Sequence, residues 1–507
     1  MGFHIRAADR KCDARGTLRN RPALGPENPG FAGDAGLAPR PRREIGVYRK
    51  LYGNACASAG RRGEEWEGFG LKRTLISRRG VHPHEAGGGK RVTGAKPIEG
   101  AARPSVVAVP LIQHIGATCK PLVKPGDKVL LGQKIGEPDG LMSVAVHASV
   151  SGVVKGIQPR TLPGGQRADA IVIENDGLDA WDPSLRGVDD LNDAGKLLAA
   201  IREAGIVGMG GAAFPTHVKL TVPRDKPIDY MILNGAECEP YLSCDHRAML
   251  EDTEAVLDGL IIAAGIVGAK HMVVGIELNK PDAIDAIRRA AEGKGVEVRG
   301  LRTKYPQGGE RQLIESLTGR QVTSGKLPMD AGCVVVNVLT AAAISRAIRS
   351  GLPVVDRVVT VAGAVKEPKN LRVRIGVDVE SVIEQSGGAV EGANKIVLGG
   401  PMMGLSAYNP NTPITKCVGG VLVMVDRGKA DRPRGNCIRC GQCVDACPAG
   451  LMPLDLYALA NKEFYERAKD ERNLADCIEC GCCDYVCPSK LPIVHSIRVA
   501  KRAVAHK

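Results

Sequence analysis

Aromatic side chains are scarce in this sequence: two Trp, nine Tyr and five Phe amount to 3% of 507 residues. Long apolar runs are missing as well. The best of them, Gly259 to Ala269, is too short to cross a bilayer. The N-terminus lacks the apolar h-region of a secretion signal. These absences predict a soluble or peripheral protein of the cytoplasm. Charge of one sign is in excess, at +13, but residues 1–80 hold 17 Lys and Arg against 8 Asp and Glu, so most of the surplus lies there. No aromatic-rich basic stripe accompanies it, which argues against nucleic acid as a partner. The hydrophobic fraction of 44% is enough for real cores. A chain of this length should hold about three or four domains.

What the sequence has in abundance is cysteine, 16 residues. In a short secreted chain that would read as a disulfide scaffold. Here half of them fall into two matching groups, which points to a reducing compartment. CIRCGQCVDACP places Cys437, Cys440, Cys443 and Cys447 at x2, x2, x3 spacing, and CIECGCCDYVCP repeats it with Cys477, Cys480, Cys483 and Cys487. This is the run that holds cubane iron–sulfur clusters in bacterial two-cluster ferredoxins, where the fourth cysteine serves the other cluster. The spacing therefore assigns Cys437, Cys440, Cys443 and Cys487 to one [4Fe-4S] cluster and Cys447, Cys477, Cys480 and Cys483 to the second. Pro448 and Pro488 suit the first turn of a following helix. A zinc ribbon also uses Cys-x2-Cys pairs. Each group here adds a third cysteine at x2 and a fourth with its own proline, which favours iron–sulfur clusters. The other cysteines, among them Cys482, show no spacing and read as small buried hydrophobes.

In chain order the sequence predicts an α/β multidomain protein. Residues 1–75, rich in Arg, Gly and Pro, read as a disordered basic extension. Residues 76–185 pair two runs of short strands, CKPLVKPGDKVLLGQKIGEP and VAVHASVSGVVKGI, in the outline of a barrel-sandwich-like β domain. A carrier domain of that type needs a lysine at the tip between its halves; Pro138 to Ser143 offers none, so the domain reads as a scaffold. Residues 186–355 alternate helical and strand signals, as a parallel α/β domain does. A helix is expected over Ala194 to Glu203, ahead of GIVGMGGAAFPTHVK. Gly208, Gly210 and Gly211 there would let backbone N–H groups approach a phosphate, although a plain tight turn fits the same residues. Residues 356–425 read as a β-grasp (SLBB) module ending in the turn Gly399 to Gly404, and 430–507 as the two-cluster ferredoxin domain. Between its cysteine groups, Leu454, Leu456, Leu459 and Phe464 predict a helix covering the clusters. His82, His84, His114 and His147 read as structural histidines.

Taken together, GVHP, HIGATCKPLVKPGDKVLLGQKIG, GMGGAAFPTHVK, NGAECEPYL, YPQGGE, GGPMMG and the cysteine groups resemble the C subunit of the Rnf (Rsx) electron-transport complex over residues 76–503. The middle domain is also similar to the flavoprotein subunit of respiratory complex I, which binds FMN and NADH. The resemblance implies an FMN and NAD(H) site built from Gly208, Gly210, Gly211, Phe214, Thr216, Lys219, Asn234, Glu237, Glu239, Tyr305, Gly308 and Glu310. Phe214 reads equally well as core. The sequence departs from the complex I pattern at Ala236 and Gly309, which replace acids, so the nicotinamide side of the match is thinner than the flavin side.

The implied function is electron input to a membrane complex that couples NAD(H)/ferredoxin exchange to ion translocation. A hydride carries two electrons and a cluster accepts one, so a flavin must stand between them. The expected partners are the membrane subunits of the complex, NADH and a ferredoxin or iron–sulfur subunit, with this chain peripheral on the cytoplasmic side of the bacterial inner membrane. Two alternatives remain at this point. One is a soluble cobalamin-reductase-like protein, in which the barrel segment follows the clusters; the other is a non-catalytic iron–sulfur adaptor.

Overall fold

The computed structural model describes residues 79–84, 89–425 and 434–505. The expected extension over 1–75, with Cys12 and Cys56, lies outside the described residues.

The first module is built from two antiparallel sheets. One has the order Val106–Pro110, Arg167–Asn175, Gly152–Thr161, Lys128–Val129; the other runs Lys120–Pro121, Lys134–Glu137, Val146–His147. Side chains alternate across a strand. Val107, Val109, Ile171 and Ile173 accordingly face one core, and Ala108, Ala170 and Val172 face the other side. That first core is continuous with Val359, Val361, Leu371 and Val373 of the β-grasp sheet.

The middle module carries a four-stranded parallel sheet in the order Val296–Leu301, His271–Glu277, Tyr230–Gly235, Cys333–Asn337. Its strands are nearly continuous apolar runs because both faces are covered. Met231, Leu233, Val274, Ile276, Val334 and Val336 pack under the helices Ala194–Glu203, Thr253–Val267, Pro281–Ala291 and Val338–Ser350. Ile232, Val273 and Val335 face Leu313 and Leu317 of the helix Glu310–Thr318 on the other side. The chain enters the sheet at Tyr230–Gly235, adds two strands on one side, and returns to the other side with Cys333–Asn337. The order therefore reverses between the carboxyl ends of Tyr230–Gly235 and Cys333–Asn337, where Asn234 and Asn337 are register partners. In open α/β sheets a crevice for ligands forms at such a point.

The β-grasp module is a six-stranded sheet in the order Ile98–Gly100, Lys369–Arg374, Asp356–Gly363, Gly420–Met424, Lys395–Leu398, Leu405–Ser406. Ile98–Gly100 belongs to the stretch that sequence reading gives to the barrel. It instead adds in parallel to Lys369–Arg374, with Ile98 opposite Asn370. Three residues are too few to show an alternation, and their partner lies far along the chain. A buried polar knot holds this junction. Ser243 Oγ donates to Thr93 Oγ1 (2.6 Å), Thr360 Oγ1 to Asn370 Oδ1 (2.7 Å), and Asn370 Nδ2 to the Thr93 carbonyl (3.1 Å).

The C-terminal module is helical: Gln442–Ala446, Pro453–Asn461, Tyr465–Arg472, Cys482–Val486 and Ile493–Ala505 surround a core of Leu456, Leu474, Ile493 and Ile497. The single covering helix expected between the cysteine groups is two helices, broken where Glu463 takes a left-handed φ of 60°. Leu456 is buried, but Phe464 is 47% exposed. Leu454, Leu459 and Phe464 are five residues apart, which turns each by roughly 140° from the last, so they could not share one helical face. Among the described residues no helix is long and apolar enough to cross a membrane.

Candidate functional site

The glycine loop lies over the point where the parallel sheet reverses. Gly208 N donates to the Phe214 carbonyl (2.9 Å) and Ala213 N to the Gly208 carbonyl (3.1 Å), closing residues 208–214 into a loop that Met209 N ties to Thr340 Oγ1 (2.9 Å). Gly210 and Gly211 are exposed at its tip. A Cβ on Gly210 would lie 3.4 Å from the Asn337 side chain, whereas one on Gly211, at φ 117°, would meet nothing. Phe214 is half-buried and Thr216 is buried at the start of the short helix Thr216–Leu220. Lys219 Nζ donates to Glu310 Oε1 (2.7 Å) and to the Val335 carbonyl (3.0 Å). Asn234 Nδ2 donates to the Gly308 carbonyl (2.9 Å). The structure thus gathers Gly210, Lys219, Asn234, Gly308 and Glu310 at one crevice.

Beneath that edge lies a set of buried charges of which sequence reading named Glu237 and missed the rest. Glu237 Oε1 accepts from Asp245 N (2.7 Å), while its Oε2 is sealed from solvent with no partner among the described residues. Asn337 Nδ2 donates to Asp245 Oδ2 (2.7 Å). Lys280 Nζ donates to the Ala236 carbonyl (2.7 Å) and stands 3.5 Å from Glu277 Oε2, with both side chains about fully buried. Lys90 Nζ donates to the carbonyls of Glu237 (2.6 Å), Glu239 (2.5 Å) and Leu242 (2.8 Å). Burial pushes the Glu237 and Glu277 carboxyls up and Asp245 up to about 6, against the pull of neighbouring cations. Burial likewise holds the Lys280 ammonium below its ordinary value. Asn337 had a readable signal, an Asn cap between an apolar strand and a helix. Burial of a Glu–Lys pair three residues apart has none.

Two of the sequence-predicted residues point elsewhere. Glu239 accepts from Met402 N (3.0 Å) and Met403 N (2.8 Å), so both its oxygens hold the turn Gly399 to Gly404. Tyr305, only 1% exposed, donates its hydroxyl to the carbonyl of Cys480 (2.8 Å). It sits in an apolar cluster with Val81, Ala446, Cys480 and Cys482, against which Cys238, Met402 and Ile478 pack. Arg311 beside it pairs with Asp476 (3.1 Å).

The eight cysteines line two separate cavities. Cys437, Cys440, Cys443 and Cys487 surround one; Cys447, Cys477, Cys480 and Cys483 surround the other, together with Cys482. Each cavity is lined by three cysteines of one group and one of the other, the interleaved donor set of a two-cluster ferredoxin. The two cavities differ in exposure: Cys437 and Cys440 are exposed, while Cys447, Cys480 and Cys483 are buried.

Of the four histidines, His114 and His147 are buried and His82 and His84 are exposed. His114 Nε2 lies 3.4 Å from Ser143 Oγ and 3.8 Å from Cys119 Sγ. Burial, with the Lys416 charge nearby, lowers His114 to about 4 and leaves it neutral.

Family models match the chain in order: the RnfC barrel sandwich hybrid domain over residues 76–178, the Nuo51 FMN-binding domain over 201–346, the SLBB domain over 358–406 and the 4Fe-4S dicluster domain over 436–491. The barrel precedes the clusters, unlike the order of the cobalamin-reductase alternative, and the flavin module speaks against a bare adaptor. The chain is 46% identical over 84% of its length to the C subunit of a Na(+)-translocating ferredoxin:NAD(+) oxidoreductase complex from Acetobacterium woodii, covering 96% of that protein. It is 49% identical to the C subunit of a proton-translocating ferredoxin:NAD(+) oxidoreductase complex from Clostridium ljungdahlii, over 77% of this chain and 85% of that one. It is 41% identical to the C subunit of the ion-translocating oxidoreductase complex of Rhodobacter capsulatus, over 75% and 74%. The cofactors of such a chain are FMN and 4Fe-4S clusters. With the four modules in this order and relatives matched along most of their length, the chain belongs to the C-subunit family of the ion-translocating Rnf oxidoreductase complexes.

Proposed function

We propose that this chain takes electron pairs from NAD(H) at the sheet crevice and passes them singly through the two cysteine-lined cavities to an iron–sulfur partner. It would do so as a peripheral subunit on the cytoplasmic side of the bacterial inner membrane. The complex around it would couple NAD(H)/ferredoxin exchange to ion translocation. The relatives named for ferredoxin and NAD(+) support the pair of redox partners.

The observation that carries this reading is the Tyr305 contact. It joins the loop beside the crevice to Cys480, a residue of the buried cavity, with no intervening solvent layer. FMN, when bound, accepts a hydride and returns electrons one at a time, which is the chemistry that links a two-electron donor to one-electron centres. The chain's own residues do the positioning. Gly210 and Gly211 would present amides at a phosphate, while Gly208, whose N–H is taken by the Phe214 carbonyl, closes the loop instead of facing the ligand; Lys219 would supply positive charge and Thr216 a hydroxyl. Asn234 and Gly308 would line the same crevice, and Glu310, paired with Lys219 at 2.7 Å, would hold that ammonium in place. Glu237, with one sealed and unpartnered oxygen, would meet a donor from the ligand. Cys447, Cys477, Cys480 and Cys483 would hold the cluster nearer the crevice; Cys437, Cys440, Cys443 and Cys487 would hold the outer one.

Anaerobic stopped-flow mixing of the cofactor-replete protein with NADH tests the reading. Flavin absorbance should bleach first and cluster absorbance follow. In Cys480→Ser the flavin should still bleach while transfer onward stalls. A flavin that NADH leaves oxidised would overturn the assignment of the crevice.

A further inference from the structure

The two cysteine loops are the same backbone built twice, and among the described residues only one of them is covered. Cys437-Ile-Arg-Cys-Gly441 and Cys477-Ile-Glu-Cys-Gly481 share a backbone: φ is 53° at Arg439 and 56° at Glu479, then 79° at Gly441 and 77° at Gly481. The second loop is capped by residues of this chain's three upstream modules. Ile478 packs into the patch of Val81, Tyr305 and Met402, and a Cβ on Gly481 would come within 2.8 Å of the Met402 carbonyl. Among the described residues the first loop has no such cap. Ile438 is 66% exposed, and a Cβ on Gly441 would meet nothing within 4 Å.

The loops also differ in charge. Glu479 is held by Arg498 (2.9 Å) and Lys501 (3.1 Å) of its own module. Its counterpart Arg439 is exposed, and so are Arg434 and Lys490. These lie together because Gly435 N donates to the Ser489 carbonyl (3.2 Å) and Ser489 Oγ to the Asn436 carbonyl (2.9 Å). An exposed aliphatic side chain next to Arg439 on a cysteine loop, with Arg434 and Lys490 exposed on the hydrogen-bonded segments beside it, matches a partner with an apolar spot and an acidic surface.

We infer that the Ile438 loop is the second docking socket of the cluster module, and that it receives an acidic iron–sulfur electron carrier as the Ile478 loop receives Val81, Tyr305 and Met402 of the upstream modules. The inference rests on the proposed function for its direction of use. Each encounter moves one electron from this chain to the oxidised cluster of the carrier; no bond forms or breaks and no proton moves.

The test bypasses NADH and flavin, so its failure is distinct from failure of the crevice assignment. The holo-protein is reduced with dithionite, freed of excess reductant, and mixed anaerobically with an oxidised bacterial two-[4Fe-4S] ferredoxin of acidic surface. The wild type should show a second-order rate that falls steeply with added salt. Arg434→Glu/Lys490→Glu, two positions outside the cysteine set, should lower that rate about tenfold or more at low salt and flatten its salt dependence. Ile438→Glu, with iron content checked, should do the same. Rates and salt slopes equal to wild type in both variants would overturn the inference. So would a dimer seen in sedimentation that the charge reversals dissociate while ferredoxin reduction stays unchanged, because the socket would then hold a second copy of this chain.

Discussion

Tyr305→Phe is the sharpest probe of the link between crevice and cluster. The substitution removes one oxygen and keeps the ring in its apolar cluster, so packing is preserved. Burial raises the Tyr305 phenol far above its ordinary value, so it remains a protonated donor at any working pH. Its acceptor, the Cys480 carbonyl, belongs to a buried residue. Losing the donor therefore leaves a buried carbonyl unpaired, at a cost of about 1–3 kcal/mol. At roughly 1.4 kcal/mol per factor of ten, the docked arrangement should weaken by about one order of magnitude. Tyr305→Ala would add a cavity and cost roughly 3–5 kcal/mol, which makes it a test of packing and not of the hydrogen bond. Anaerobic urea unfolding followed by cluster absorbance measures the stability change. Stopped-flow reduction by NADH measures the transfer from flavin to cluster. If Tyr305→Phe matched the wild type in both midpoint and transfer rate, the hydroxyl would not be what couples the two modules.

Lys280→Met leaves Glu277 buried without its cation, and should destabilise the protein by about 3–5 kcal/mol; Glu277→Leu in addition should recover most of the loss in the same urea assay. Cys440→Ser should lose the iron of the outer cavity and keep that of the inner one, read by iron content and electron paramagnetic resonance; unchanged iron would refute the ligand sets. Gly481→Ala should lower thermal stability more than Gly441→Ala. Both carry the left-handed backbone penalty of about 1–2 kcal/mol, but only the first drives a Cβ to 2.8 Å from the Met402 carbonyl. Equal losses would mean that Met402 is free to yield. Asp245 titrates in the folded protein at about 6, above its ordinary value of 3.8. The native state therefore holds the proton more tightly than the unfolded chain. The stability this contributes is full below the ordinary value and is lost as pH rises through about 6. Asp245→Asn should flatten that decline between about pH 4 and 6 in urea titrations.

Much of the redox apparatus is legible along the chain because its signals are local. A cluster is gripped by cysteines a few residues apart, so x2, x2, x3 spacing is visible without a fold, and it sorts the eight residues into the two sets that line the two cavities. The helix Ala194–Glu203 and the closed loop after it follow from apolar periodicity and glycine placement. Other features are absent from any local window. Glu239 looks like a ligand group in its motif, and its use by the amides of Met402 and Met403 depends on a turn more than 160 residues later. Phe464 lies five residues from Leu459, off its helical face, and beyond a helix break at Glu463 that no local window shows.

By itself, then, the sequence determined which atoms this protein brings to its chemistry: thiolates in two sets, a glycine loop, a lysine and several carboxylates, on four modules in a set order. Tertiary structure alone decided how those modules meet. It placed Tyr305 against Cys480, folded Ile98–Gly100 into a distant sheet, buried Glu277 with Lys280, and, among the described residues, covered one of two loops of like backbone and not the other. The reason is physical. Ligand spacing and helix periodicity are set by the short reach of bonds along the backbone, whereas burial and docking are set by surfaces that come together only when the whole chain has folded.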